Sequence, residues 1–192
     1  MKKLLLFVVL ITLSALAQAQ TKIGLGIKLG DPTAISAKIY TGKKIAFEVN
    51  LGTSPYSYGN GYYDKYYGNN GKHNGWVYDG GYGHGGGACL QARVLAHKDI
   101  NADIDGQLQW YAGGGLQFRQ RTFYGNFWDN NGYYYHHYKL TDNQFGIDAI
   151  IGAEYTFDNA PISIFADLNL FMQVVDNVYP WIQGGIGARY NF

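Results

Sequence analysis

Ten ionisable residues stand at alternate positions of otherwise apolar or small-residue runs. They are Lys28, Lys38, Arg93, Arg119, Arg121 and Arg189, with Glu48, Asp148, Glu154 and Asp167. In an extended chain this spacing puts each of them on one face and the apolar residues on the other. Both signs occur, so two chemistries are open: ion pairing that seals an interior, or a charged lining along which ions pass. A buried charge without a partner is costly, so pairing is expected. A second group of reactive types is His73, His84 and Asp79 in one Gly/Tyr-rich stretch, with His136 and His137 in another. Adjacent histidines in an extended segment point apart and suit a single metal poorly. These are read as solvated histidines, with no metal site and no cofactor expected.

The elements that must carry the charges are strands. Period-2 alternation recurs in eight runs: 22–30, 33–41, 45–52, 88–96, 107–121, 144–157, 162–172 and the closing "WIQGGIGARYNF". In that last run Ile182, Ile186, Ala188, Tyr190 and Phe192 face one way, and Gln183, Gly185, Gly187, Arg189 and Asn191 the other. Asp31-Pro32, "GKK", "HKDINAD" and "DNAP" read as turns. A long Gly/Tyr/Asn stretch from about Pro55 to Gly86 and an aromatic stretch from about Thr122 to Asp142 read as two long loops. The sequence has 27 Gly and 18 Tyr, and no segment beyond residue 19 keeps a helical period.

The chain opens "MKKLLLFVVLITLSALAQAQ". A basic start, a short apolar run and Ala17-Gln18-Ala19 have the order of a secretory signal. Residues 1–19 are therefore expected to be removed, leaving 20–192 as one barrel domain. Without Lys2 and Lys3, the 15 basic residues become 13 against 14 acidic ones. That near-neutral balance gives no basic footprint for nucleic acid. Cys89 is the single cysteine, so an intramolecular disulfide is excluded.

An exported chain with no spanning helix can enter a membrane only as a closed barrel. Strands of about 9–11 residues suffice to cross at a tilt. Connections after the second, fourth and sixth strands are short to moderate, and those after the third and fifth are long. The polar phase is crowded with Gly, Ser, Gln and charges, which suits the narrow interior of an eight-stranded barrel. Aromatics of the apolar phase sit near strand ends, as interfacial girdles do. The expected fold is all-β: an eight-stranded antiparallel up-and-down transmembrane barrel with both termini periplasmic and two long extracellular loops. Phe165, Phe171, Ile150 and Leu95 fall in the polar phase and interrupt the pattern.

Inside such a barrel a network of Glu48, Arg93, Arg119, Arg121, Asp148, Glu154, Asp167 and Arg189 is expected. Counting from the strand ends makes Glu48 level with Arg93, Arg119 a neighbour of Asp148, and Glu154 level with Arg189. In the loops Tyr62, Tyr63, Tyr66, Tyr67, Trp76, Trp128, Tyr133, Tyr134 and Tyr135 are candidate surface-binding aromatics. Rings among Asn and Gly are recognition-type residues that suit a glycan or protein ligand.

The ending "IGARYNF", with Phe192, Tyr190, Ala188 and Ile186 in alternation, resembles the C-terminal signal of outer-membrane β-barrels. The resemblance implies recognition of those residues by the barrel-assembly machinery during insertion. Nearly everything after the signal resembles the small eight-stranded outer-membrane proteins, the group of OmpX, OmpW and the OmpA barrel. The opening "GLGIKLGDPTAISAKIYTGKKIAFE" is similar to porin-like barrels of Bacteroidetes-type bacteria. The resemblance implies an integral outer-membrane protein of a Gram-negative cell, in contact with membrane lipid and lipopolysaccharide. It does not fix an activity. Some barrels of this size are enzymes on lipid A or phospholipid, and one such group uses a His-x-Ser pair. No His here is followed two residues later by Ser, and no catalytic set assembles. A non-enzymatic surface barrel is expected, with a narrow solute pore and a lipid-modifying enzyme as the second and third readings.

Overall fold

Ile23, Leu25, Ile27 and Leu29 alternate with Gly24, Gly26 and Lys28 along β1 (Lys22–Gly30), and the same period runs through every long strand. The computed structural model describes residues 22–42, 44–54, 77–78, 87–129, 131–175 and 178–192. The signal at 1–19 and most of the first long loop, with Tyr62, Tyr63, Tyr66, Tyr67, Trp76, His73, Asp79 and His84, lie outside these residues.

The remaining strands are β2 (Thr33–Thr41), β3 (Ile45–Ser54), β4 (Val77–Tyr78), β5 (Gly87–Asp99), β6 (Gln107–Trp128), β7 (Tyr134–Thr156), β8 (Ile162–Gln173) and β9 (Tyr179–Asn191). Each long strand pairs antiparallel with the next in sequence. β9 returns to β1, with Ile27 opposite Ala188 and Gly24 opposite Asn191. The result is a closed, eight-stranded, up-and-down barrel whose wall has no open seam among the described strands. The two-residue β4 pairs with the far end of β6. One rim carries Lys22, Phe192, Gly42, Lys44 and the turns at 100–106 and 157–161; the other carries the Asp31-Pro32 turn and the β6–β7 connection.

The apolar phase faces out. Leu168 and Ile182 are 61% and 74% exposed, while Lys28, Lys38, Gln91, Gln117 and Arg119 are fully buried. A protein folded for water has the reverse distribution. Leu95, Ile150, Phe165 and Phe171 point inward with the charges and are buried. Leu95 and Ile150 join Ala46 and Tyr111 in a small apolar cluster. The exceptions to the alternation are thus interior packing residues.

The second long loop expected at 122–142 is largely strand. β6 and β7 stay paired to Trp128 and Tyr134, forming a hairpin that rises past the barrel wall. At its tip Asp129 Oδ1 accepts from the backbone N–H groups of Asn131 and Tyr133. Gly132, at φ 80°, supplies the left-handed residue the turn needs. One residue, Asn126, opposes two on β7, His136 and His137. This bulge shifts the phase of the upper strand, which hides the alternation in the sequence. Pro180, just ahead of the closing run, lies within β9 opposite Met172.

Candidate functional site in the barrel interior

Three layers fill the interior. In the first, Arg189 of β9 is central. Its Nη2 lies 2.5 Å from Glu48 Oε2 of β3, and its Nη1 lies 2.9 Å from Glu154 Oε2 of β7. It also donates to the Ser36 hydroxyl from Nε and Nη2. Its guanidinium stacks on the Phe165 ring at 3.6 Å. Glu48 takes a second cation, Arg93, at 3.3 Å, and Arg93 reaches Asp148 at 2.7 Å. Glu154 takes Lys38 at 2.7 Å and a hydrogen bond from the Tyr40 hydroxyl at 2.5 Å. Beside this layer Lys28 and Asp167 pair at 2.5 Å. Lys38 Nζ sits over the Tyr111 ring at 4.4 Å. The cations Lys28, Lys38, Arg93 and Arg189 are thus matched by the anions Glu48, Asp148, Glu154 and Asp167. Each charge has an opposite partner, the condition for keeping it ionised away from water.

The strands supply room as well as charge. A Cβ on Gly187 would come within 2.4 Å of the Phe165 ring and 2.3 Å of the Ile27 carbonyl. Glycine there lets Phe165 lie across β9 and serve as the platform for Arg189.

The second layer is uncharged. Asn50 donates to Gln91, and Gln91 to Gln117, at 3.1 and 2.9 Å. Across the barrel Asn169 donates to Gln183 at 2.8 Å. The third layer lies near the rim opposite Phe192. Asp31 accepts from Ser54 and, at 3.3 Å, from the Trp181 indole. Arg119 donates to Ser54 at 2.8 Å and lies 3.9 Å from Asp31. Arg121 is buried on β6 opposite Asp142 of β7, and Gln144 donates to Asp142 at 2.7 Å.

Glu48 and Arg93 are Cα partners on neighbouring strands. Glu154 and Arg189 meet across β8. Arg119 and Asp148 are not adjacent, contrary to expectation. Register sets Arg119 opposite Gln144 and Asp148 opposite Gly115, four residues away along β6. That is about 13 Å of strand. Asp148 pairs with Arg93 instead, and Asp167 with Lys28. Sequence reasoning missed Asp31, which reads as a turn residue yet is buried. It also missed Tyr111, whose odd position in β6 puts it in phase with Gln109 and Arg119.

Elsewhere, Ile186 and Tyr190 are exposed on the outer face of β9, with Ala188 between them. The Tyr190 and Phe192 rings meet at 4.9 Å. On the hairpin Trp128, Tyr133 and Tyr134 are exposed, and Tyr135 donates to Asp129 Oδ2 at 3.5 Å. Among the described residues no group of three His, Cys, Asp or Glu is placed to hold a metal.

No protein-family model matches the sequence, and no curated protein does. Among solved structures, the chain is similar to the N-terminal β-barrel domain of OprF from Pseudomonas aeruginosa. Identity is 12%, the match covers 90% of this chain and 96% of that one, and the TM-score is 0.52. At that identity the likeness speaks to architecture, and the chain shares the eight-stranded barrel fold with the OprF domain.

Proposed function

We propose that the protein is an integral, non-enzymatic outer-membrane barrel of the small eight-stranded kind, porin-like in ancestry, with a sealed interior and a surface hairpin that makes contacts outside the cell. The observation that carries this reading is the inverted distribution of polarity: large aliphatic side chains cover the outside and matched charges fill the inside. Exposed apolar area of this extent on a water-soluble barrel would drive association. In a bilayer it is the lipid-facing wall. The rim with Phe192 is then periplasmic and the hairpin extracellular.

The interior supports a plug. Glu48 ties β3 to β5 and β9, Glu154 ties β7 to β2 and β9, and Lys28–Asp167 ties β1 to β8. Such links cross the space an ion would need. Ser36 and Ser163 are buried in the interior. That placement supports a non-enzymatic role, since a nucleophile must meet its substrate.

A narrow pore is the second reading. It draws on Asn50 Oδ1, Gln117 Nε2, Asn169 Oδ1 and Gln183 Nε2, which are buried without a protein hydrogen-bond partner and suit bridging water.

The deciding experiment is single-channel conductance of the refolded chain in a planar bilayer, beside Arg189→Ala. Absence of steady current from the wild type is expected. Stable wild-type openings altered by Arg189→Ala would replace the plug with the pore. Fractionation of the producing cell tests the location, and recovery outside the outer-membrane fraction would overturn it. A reproducible change in lipid A acylation on loss of the protein would restore the enzyme reading.

A further inference from the structure

Resting on the outer-membrane reading, we propose that the outward face of the β6–β7 hairpin binds the saccharide chain of a glycolipid in the surrounding outer leaflet. Phe118 and Phe145, Cα partners, are the last apolar pair on the outer face of these two strands. Above them the same face turns polar but uncharged, and exposed Gln120 donates to Asn143 at 3.2 Å. Higher still, exposed Tyr124 stands opposite Lys139, and aromatic rings continue above it. Trp128 and Tyr134 are paired across the hairpin with ring centroids 4.7 Å apart, and both are exposed. The bulge opposite Asn126 brings Tyr134 and His136 onto this face.

A membrane interface accounts for the lowest of these aromatic levels, not for the highest. Trp128 is ten residues beyond Phe118 on β6. At about 3.3 Å per residue and a tilt of about 40°, that is roughly 25 Å along the bilayer normal. The polar zone on each side of the hydrocarbon is only about 5–8 Å thick. The upper rings therefore stand well above the lipid headgroups.

Their chemistry names the occupant. Paired exposed rings offer flat apolar faces to the C–H faces of sugar rings, and the amides below offer donors and acceptors to sugar hydroxyls. Lys139 and His136 are the exposed ionisable groups of this face among the described residues, which suits an anionic or neutral saccharide. The face continues without a break from the lipid-facing wall. The saccharide nearest to it is the one anchored in that leaflet, rather than a free glycan or a second copy of the chain.

The test uses the full refolded chain in detergent and two probes: lipopolysaccharide with its complete sugar chain, and lipid A with the same acyl chains. Binding is read by native mass spectrometry. The sugar-bearing form should bind about tenfold more tightly, the scale of one or two aromatic contacts. Trp128→Ala with Tyr134→Ala should abolish that preference while heat-modifiable gel mobility, which reports the closed barrel, stays unchanged. Trp128→Phe should keep it. Equal binding of both probes, or a preference that survives the double substitution, would overturn the proposal. So would equal binding of the released oligosaccharide, which would make the face a reader of soluble glycans, or a dimer lost on the double substitution. A chain that enters vesicles yet shows no preference refutes only this inference. A chain that does not enter them refutes the membrane reading beneath it.

Discussion

Arg189 and Glu48 form an ion pair at 2.5 Å although 141 positions separate them and their strands, β9 and β3, are not neighbours. The contact spans the barrel rather than the sheet. It makes the middle of the molecule a cross-braced solid, with Phe165 beneath the guanidinium and Glu154 at its other side.

Removing Arg189 leaves Glu48 with Arg93 alone and Glu154 with Lys38 alone, and the buried layer one positive charge short. Arg189→Ala should destabilise the barrel by about 3–5 kcal/mol, the usual cost of breaking a buried pair from one side. Urea unfolding in vesicles, followed by tryptophan fluorescence, reads this directly. A change below about 1 kcal/mol would mean that water already screens the pair.

Lys28 and Asp167 offer a cleaner comparison, because among the described residues each forms an ion pair with the other alone. Lys28→Met alone should destabilise by about 3 kcal/mol or more, whereas Lys28→Met with Asp167→Leu should recover most of the loss. If the double variant were as unstable as the single one, the pair would not be the unit that matters.

Gly187 tests the packing beneath Arg189. Gly187→Ala places a methyl against the Ile27 carbonyl and the Phe165 ring. A loss of about 1–3 kcal/mol is expected from overpacking, together with slower refolding in vesicles. Unchanged stability would show that Phe165 can move aside.

Leu168 on β8 faces outward opposite Ile151. Leu168→Arg should destabilise the barrel in vesicles by about 2–4 kcal/mol if it faces the bilayer midplane. In water a surface change of this kind is worth within about 0.5 kcal/mol. A neutral result in vesicles would count against a lipid-facing wall.

The hairpin above the barrel should be dispensable for folding. Replacing residues 124–139 with Asn-Gly leaves Phe123 opposite Leu140 as the last pair and supplies a turn that favours two-residue hairpins. Unfolding stability in vesicles should stay within about 1 kcal/mol of wild type. Failure to close, seen as loss of heat-modifiable mobility, would make the hairpin part of the scaffold.

The strands and their faces were legible in the sequence because the period is 2 and one face is apolar throughout. Glu48 with Arg93 was legible for the same reason, since the register of neighbouring strands can be counted from their ends on one rim. Partners across the interior were not. Lys38 meets Glu154 only through the stagger of the closed sheet, which strand lengths alone do not determine. Arg119 and Asp148 sit on neighbouring strands, but their register is set by the β6–β7 hairpin, which in the sequence reads as a loop. The hairpin was hidden by composition, since Tyr, Asn and Gly at 124–134 read as loop, and by a bulge that breaks the alternation at His136-His137.

The pairing of β1 with β9 has a consequence for the order of assembly. The seam is formed by β1 and β9, and β9 carries Arg189. Until it docks, Glu48 and Glu154 lack that cation, and the half-built sheet has two open edges at β1 and β8. Shutting the seam and neutralising the middle are therefore a single event. A chain stalled before β9 would be an open, negatively biased sheet rather than a smaller barrel, and quality control could tell the two apart by charge as well as by shape.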